Sequence, residues 1–111
     1  VLTEPLCELP VRVQIFRDIV AKYGKDAQVI LKPHPRDVLD YHKLFPDDIV
    51  LDGKFPMEIL NFIEGLEFDQ VVSVYTVPDS IHFAKEKVFL GDDFMDLYED
   101  PQKHRFNEQI F

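Results

Sequence analysis

Apolar residues fall along this chain in two alternating kinds of run, short unbroken ones and longer ones spaced at three and four residues. Val29-Ile-Leu31 (within Gln28 to Lys32), Ile49-Val-Leu51, Gln70-Val-Val-Ser-Val-Tyr75 and Lys87-Val-Phe-Leu90 are of the first kind, and Val1 to Thr3 is a shorter example at the start. Continuous β-branched and aliphatic runs predict strands buried on both faces of a parallel sheet. Val11 to Tyr23 is of the second kind: Val13, Phe16, Val20 and Tyr23 recur at helical spacing, Pro10 suits the first turn and Gly24 the C-terminal cap. A second helix is expected from Pro56, with Ile59, Phe62 and Ile63 facing inward and Gly65 near its end. Pro78 can start a short helix through Phe83, Asp37 can cap a single turn, and Asp92 or Asp93 can cap Phe94 to Glu99. Gln102 to Phe111 reads as a last helix with Phe106 and Ile110 packed inward.

Strands alternating with helices predict an α/β fold, a Rossmann-like parallel sheet of about five strands with helices on both faces. In such sheets ligands bind beyond the carboxyl ends of the strands. His34 follows the second predicted strand, Glu58 opens the helix after the third, and Tyr75-Thr76 follow the fourth. All of them therefore belong to one edge.

Length and composition narrow the class. A chain of 111 residues with 46% hydrophobic residues and ten Phe is one packed domain, small for a complete two-substrate enzyme. Its first residue is Val1, inside a predicted strand, which points to a piece of a longer protein. A net charge of -9 disfavours nucleic acid as a partner. No apolar run approaches the roughly 18 residues of a membrane span and no signal-peptide pattern opens the chain, so a cytoplasmic domain is expected. Cys7 is the single cysteine, which rules out an internal disulfide and a cysteine-based metal site. His34 and His42 stand eight apart without ligand spacing around them, so zinc is not expected.

The candidate chemistry centres on Lys32-Pro-His-Pro-Arg36. Pro33 and Pro35 stiffen the loop on either side of His34, and Lys32, His34 and Arg36 gather positive charge in an acidic chain. Such a pocket suits an anion such as phosphate. His34 and the Thr76 hydroxyl, with a backbone N–H at the start of the next helix, can bind phosphate oxygens while Glu58 accepts hydrogen bonds from ribose hydroxyls. Glu58 also fits simply as a carboxylate favoured in the first turn of a helix. The chain carries no Walker loop, no GxGxxG and no GxSxG elbow, which removes ordinary ATPase, dinucleotide and serine-hydrolase readings.

The phrases Lys32-Pro-His-Pro-Arg-Asp37, Phe55-Pro-Met-Glu58 and Ser73-Val-Tyr-Thr76, in that order, resemble the C-terminal, nucleotide-binding half of bacterial lipooligosaccharide sialyltransferases and their glycosyltransferase relatives. The resemblance spans nearly the whole chain. It implies one half of a GT-B fold, with residues 1–111 as the donor domain and the N-terminal acceptor domain lying elsewhere in a longer protein. It implies that His34, in the His34-Pro35 motif, meets the donor phosphate as catalytic acid or electrostatic stabiliser, that Glu58 holds the ribose, and that the pair at Tyr75-Thr76 binds phosphate. The first member of that pair is serine in the family, so Tyr75 departs from the pattern and Thr76 is the clear match. Ser73, two residues back along the strand, sits deeper in the sheet. Lys32, Pro35, Arg36 and Ser73 complete the implied donor-binding set.

The implied reaction is an inverting, metal-independent transfer of sialic acid from CMP-sialic acid to a galactose-terminated bacterial surface glycan, with no cofactor besides the sugar nucleotide. Its general base belongs to the N-terminal domain, so these residues alone should bind donor and transfer nothing. A peripheral place at the cytoplasmic face of the inner membrane suits such a role. Two other readings stay open: a sugar-nucleotide epimerase or polymer phosphotransferase half-domain, and a non-catalytic module in which the KPHPR loop is structural. Phe45, Phe55 and Tyr75 either line a cleft against a second domain or belong to the core.

Overall fold

The computed structural model describes residues 1–76 and 78–99. The expected last helix, Gln102 to Phe111, lies outside them. Helix α1 is Leu9–Tyr23, with Pro10 in its first turn, where a missing N–H costs no hydrogen bond. Its buried residues are Arg12, Ile15, Phe16 and Ile19, an i, i+3, i+4, i+7 stripe. That stripe shares only Phe16 with the four residues expected to mark it; Val13, Val20 and Tyr23 flank it, half-buried. Gly24 ends the helix by donating to the Val20 carbonyl at 2.8 Å. A Cβ there would stand 2.4 Å from Val29 Cγ2 and 2.6 Å from the Val20 oxygen, so the chain can turn back only through glycine.

Two parallel strand pairs follow. Strand β1 (Ile30–Leu31) pairs with β2 (Ile49–Val50), and β3 (Phe68–Ser73) pairs with β4 (Ala84–Phe89) in the register Val71 to Lys87 and Val72 to Val88. Val1–Thr3 is bonded to both pairs. Lys32 N donates to Val1 O (2.9 Å) and Thr3 N to Lys32 O (3.1 Å), while Leu2 N donates to Val72 O (2.9 Å). The described residues thus form two two-stranded sheets with the first segment between them, where one sheet of about five strands was expected. The ladder on the β3 side stops after one bond because the next amides, of Val74 and Tyr75, are taken by the Glu4 side chain.

The strands that the apolar runs marked begin earlier or are shorter. Strand β3 starts two residues before Gln70 and β4 three before Lys87. Asp40, not Asp37, caps the short helix α2 (Tyr41–Leu44), and α3 (Gly91–Met95) starts before its aspartates, which lie in its first turn. Pro78–Ser80 is a 3-10 turn.

Side chains from the strands go to two faces. Leu31, Val72 and Val74 pack with Ile15, Phe16, Ile19, Tyr41 and Met95 under α1, where the Phe16 and Tyr41 rings meet edge to face at 5.9 Å. Leu2, Val71, Leu60, Ile81 and Phe83 fill the other face. Here the expected helix from Pro56 is a 3-10 segment, Met57–Phe62. A three-residue period puts Leu60 in line with Met57, and Ile63 already lies past the end of the segment in extended conformation. Leu60 is buried, whereas Ile59, Phe62 and Ile63 are 47%, 86% and 49% exposed, the reverse of the inward facing expected for them.

This facing is testable by thermal or urea denaturation. Leu60→Ala should destabilise the domain by roughly 2–5 kcal/mol through the cavity it leaves. Phe62→Ala should stay within about 0.5 kcal/mol of wild type, as an exposed position does; the reverse order would restore the helical packing.

Candidate functional site

Two backbone turns line one cleft at the carboxyl ends of the strands, the loop after β1 and the turn after β2, and the turn after β3 leaves the sheet at the same edge. Residues Pro33 to Asp37 form the first. His34 Nδ1 accepts a hydrogen bond from the Arg36 N–H at 3.0 Å, and the His34 carbonyl accepts from the Asp37 N–H at 3.0 Å. A ring nitrogen that accepts carries no proton, so the neutral imidazole holds its proton on Nε2, as a donor. Burial of the half-exposed ring lowers its pKa, as do Arg36 and Lys32, against the opposing pull of Asp37 and Glu58. Near neutral pH, His34 therefore presents an uncharged N–H. It lines an open cleft of about 580 Å³, with Pro33, Pro35, Asp40, His42 and Asp52. Gly53 closes the side against β2: a Cβ there would come within 3.2 Å of Pro33 Cβ.

The loop is anchored from below by a residue the sequence does not advertise. Arg12, 4% exposed on the inner face of α1, donates from Nε to Leu6 O (2.7 Å), from Nη2 to Cys7 O (2.9 Å) and from Nη1 to Asp37 Oδ1 (2.8 Å). The Asp37 carboxylate, wholly buried, also accepts from Leu39 N (3.0 Å) and from the Tyr41 hydroxyl. Burial and that carboxylate push the Tyr41 phenol far above its ordinary pKa. Asp37 is thus the point where α1, the His34 loop and α2 are joined. The one signal in the sequence is an arginine at a position whose neighbours at three, four and seven residues are Ile15, Phe16 and Ile19.

The other candidate residues divide. Lys32 is buried, its ammonium donating to Pro33 O at 2.6 Å and resting 4.2 Å from the centre of the Phe55 ring. Burial lowers its pKa, while Asp52 and Glu58 raise it. It braces the loop from within. Pro35 and Arg36 are exposed on the loop. Glu58 is exposed in the first turn of the 3-10 segment that follows the turn after β2. Ser73 is buried, and its hydroxyl donates to Thr76 O at 3.1 Å. Tyr75 is half-buried, with its hydroxyl donating to Asp92 Oδ1 at 2.7 Å. Thr76 is half-buried, and its hydroxyl makes no hydrogen bond among the described residues. Phe45 belongs to the core, and Phe55 lies half-buried beside Lys32.

A larger groove, about 660 Å³, opens at the starts of the strands, around Gln28, Val29, Phe68 and Gln70. Asp26, Glu67, Asp69 and Glu86 line it together with Lys32, while the His34 cleft has Asp37, Asp40 and Asp52 beside His34, His42 and Lys54. The His34 edge is the candidate anion site because it presents the imidazole donor at the strand ends, and not because of its net charge.

The profile of glycosyltransferase family 52 matches residues 1–94. The chain is also similar to an uncharacterized protein of Haemophilus influenzae, 31% identical over 91 residues, which are 78% of this chain and 29% of that protein. The chain thus spans less than a third of the length of this curated relative. No solved structure matches it. Among the described residues, no helix is long and apolar enough to cross a membrane.

Two outcomes follow from this geometry. Asp37→Asn should destabilise the fold by roughly 3–5 kcal/mol in chemical denaturation, because it strands a buried guanidinium; a change below about 1 kcal/mol, the size of a surface pair, would remove the anchor. The lowered His34 pKa means that the unfolded chain takes up a proton at this site before the folded one does. His34 therefore adds stability above about pH 6.5, the unfolded value, and that contribution is lost as pH falls through the folded value. Melting curves at pH 7.5 and 5.5 should show a smaller acid-induced loss in His34→Gln than in wild type. An equal loss would mean that the ring is unshifted.

Proposed function

The chain belongs to glycosyltransferase family 52, and from that premise we propose that it is the donor-binding half of an inverting sialyltransferase that moves sialic acid from CMP-sialic acid to a galactose-terminated surface glycan such as lipooligosaccharide. On this reading the two strand pairs and the segment between them are one half of a GT-B fold, and the acceptor and general base are supplied by another part of the protein. The observation that carries the proposal is the His34 imidazole, held by the Arg36 N–H so that its Nε2–H is the donor, on a loop braced by a buried ion pair.

That donor fits the bond that breaks. The acceptor hydroxyl attacks the anomeric carbon, the bond from that carbon to the phosphate oxygen opens, and its electron pair stays on the departing CMP. Negative charge grows on that oxygen only as the reaction proceeds, so a fixed N–H aimed at it favours the transition state over the bound substrate. The neutral imidazole acts here as a hydrogen-bond donor that stabilises the departing oxygen and not as an acid that protonates it. Thr76 supplies a second donor to the phosphate, and Arg36, exposed on the same loop, adds charge. Glu58 accepts from the ribose hydroxyls, its exposure leaving both oxygens accessible to a ligand. The acceptor proton goes to the general base outside these residues.

Calorimetric or NMR titration with CMP, UMP and GMP tests the reading. CMP should bind in preference to the others, and His34→Ala and Glu58→Ala should each weaken it about tenfold, the loss of one hydrogen bond to a charged or sugar oxygen. A UMP preference would replace sialic acid with another sugar. Failure of all three at millimolar concentration, in the full-length protein as well, would overturn the nucleotide site.

A further inference from the structure

The turn after β3 is held by a side chain from the opposite end of the chain. Glu4, 9% exposed, places its carboxylate against two consecutive backbone amides: Val74 N donates to Oε2 at 2.9 Å, and Tyr75 N lies 3.1 Å from both Oε1 and Oε2. Successive amides pointing to one spot form a cradle for an anion. Here the protein fills that cradle itself. The remaining edges of the turn are taken as well: the Val74 carbonyl accepts from Gly91 N (2.8 Å), the Ser73 carbonyl from Leu90 N (2.9 Å), the Thr76 carbonyl from Ser73 Oγ (3.1 Å), and the Tyr75 hydroxyl donates to Asp92 (2.7 Å). What the turn leaves unspent at Thr76, among the described residues, is the amide N–H as well as the hydroxyl.

Resting on the donor-site reading above, the geometry points to Glu4 as a positioning residue that sets the Tyr75–Thr76 turn so that Thr76, and not the Val74 and Tyr75 amides, meets the donor phosphate. Two consequences follow from charge. A phosphate cannot share amides that already hold a carboxylate at hydrogen-bond distance, because the two anions would repel at close range. The phosphate is therefore directed to groups that are not so occupied, the amide and hydroxyl of Thr76 and His34 Nε2. The carboxylate also replaces a strand ladder: Leu2 donates to Val72, and the side chain two residues on continues the pairing where the backbone of Glu4-Pro5 leaves the sheet. Tyr75, in the place where the family pattern has serine, loses no anion contact by this arrangement, since its amide and hydroxyl are both committed within the fold.

The test pairs Glu4→Gln with Glu4→Ala in the full-length protein, read by CMP titration and by donor KM and kcat. Glutamine keeps an acceptor oxygen at the same reach, so Glu4→Gln should hold the donor constant within about threefold of wild type, while Glu4→Ala should raise donor Kd and KM about tenfold with kcat changed far less. Amide hydrogen exchange at Val74 and Tyr75 should quicken in Glu4→Ala and not in Glu4→Gln. Where Glu4→Ala does not fold, Glu4→Asp, which withdraws the carboxylate by one methylene, should give the same rise. Unchanged affinity in Glu4→Ala or Glu4→Asp overturns the role. Tighter CMP binding overturns it too, since it would make Glu4 a stand-in that the phosphate displaces. A wild-type protein that binds no nucleotide overturns the function reading itself, whereas nucleotide binding that ignores Glu4 overturns this role alone.

Discussion

Neither strand pair in this domain can stand alone, since a two-stranded sheet is marginal in water, and the backbone of Val1 to Thr3 is what joins them. Its amides and carbonyls are divided between Lys32 on one side and Val72 on the other. Leu2, Leu31, Val71 and Val72 can then bury on two faces, which creates one core under α1 and another under the 3-10 segment. The carboxyl ends of β1 and β3 reach the same edge through that shared segment. Any site that combines His34 with Thr76 depends on it.

Charge is distributed in a way that the total conceals. A chain of net charge -9 would repel a phosphate if its charges were spread evenly. Instead Arg12 and Lys32 lie inside, beneath the loop, with their protons committed to carbonyls and to Asp37. They rigidify the loop more than they attract a ligand. The loop then offers an imidazole N–H and an exposed arginine, while acidic residues line both its own cleft and the larger groove at the opposite edge of the strands. Buried pairs of this sort confer geometry where they add little net stability, because desolvation offsets most of their attraction.

Much of this was legible in the residues. The strand runs at Val29, Ile49, Gln70 and Lys87, the helix ending at Gly24 and the stiff His34 loop were all read where the structure has them, within a few residues, because each depends on neighbours in the chain. The errors came where a neighbour in space decided the outcome. Ile59, Phe62 and Ile63 share a helical face, yet the segment closes as a 3-10 turn that buries Leu60 instead. Asp37 has the look of a helix cap, but a guanidinium one layer below claims it, and Asp40 caps the next turn.

The sequence by itself determined the local conformations and the residue types at the strand ends, since apolar period, proline geometry and glycine turns act over a few bonds. It also carried the family, since the profile of glycosyltransferase family 52 matches residues 1–94. Only the tertiary structure decided the partners of the buried charges. Arg12 and Asp37 are 25 residues apart, and Glu4 reaches an amide 70 residues away. A hydrogen bond at such separation leaves no periodic trace, since nothing in either local stretch requires the other until packing brings them within 3 Å.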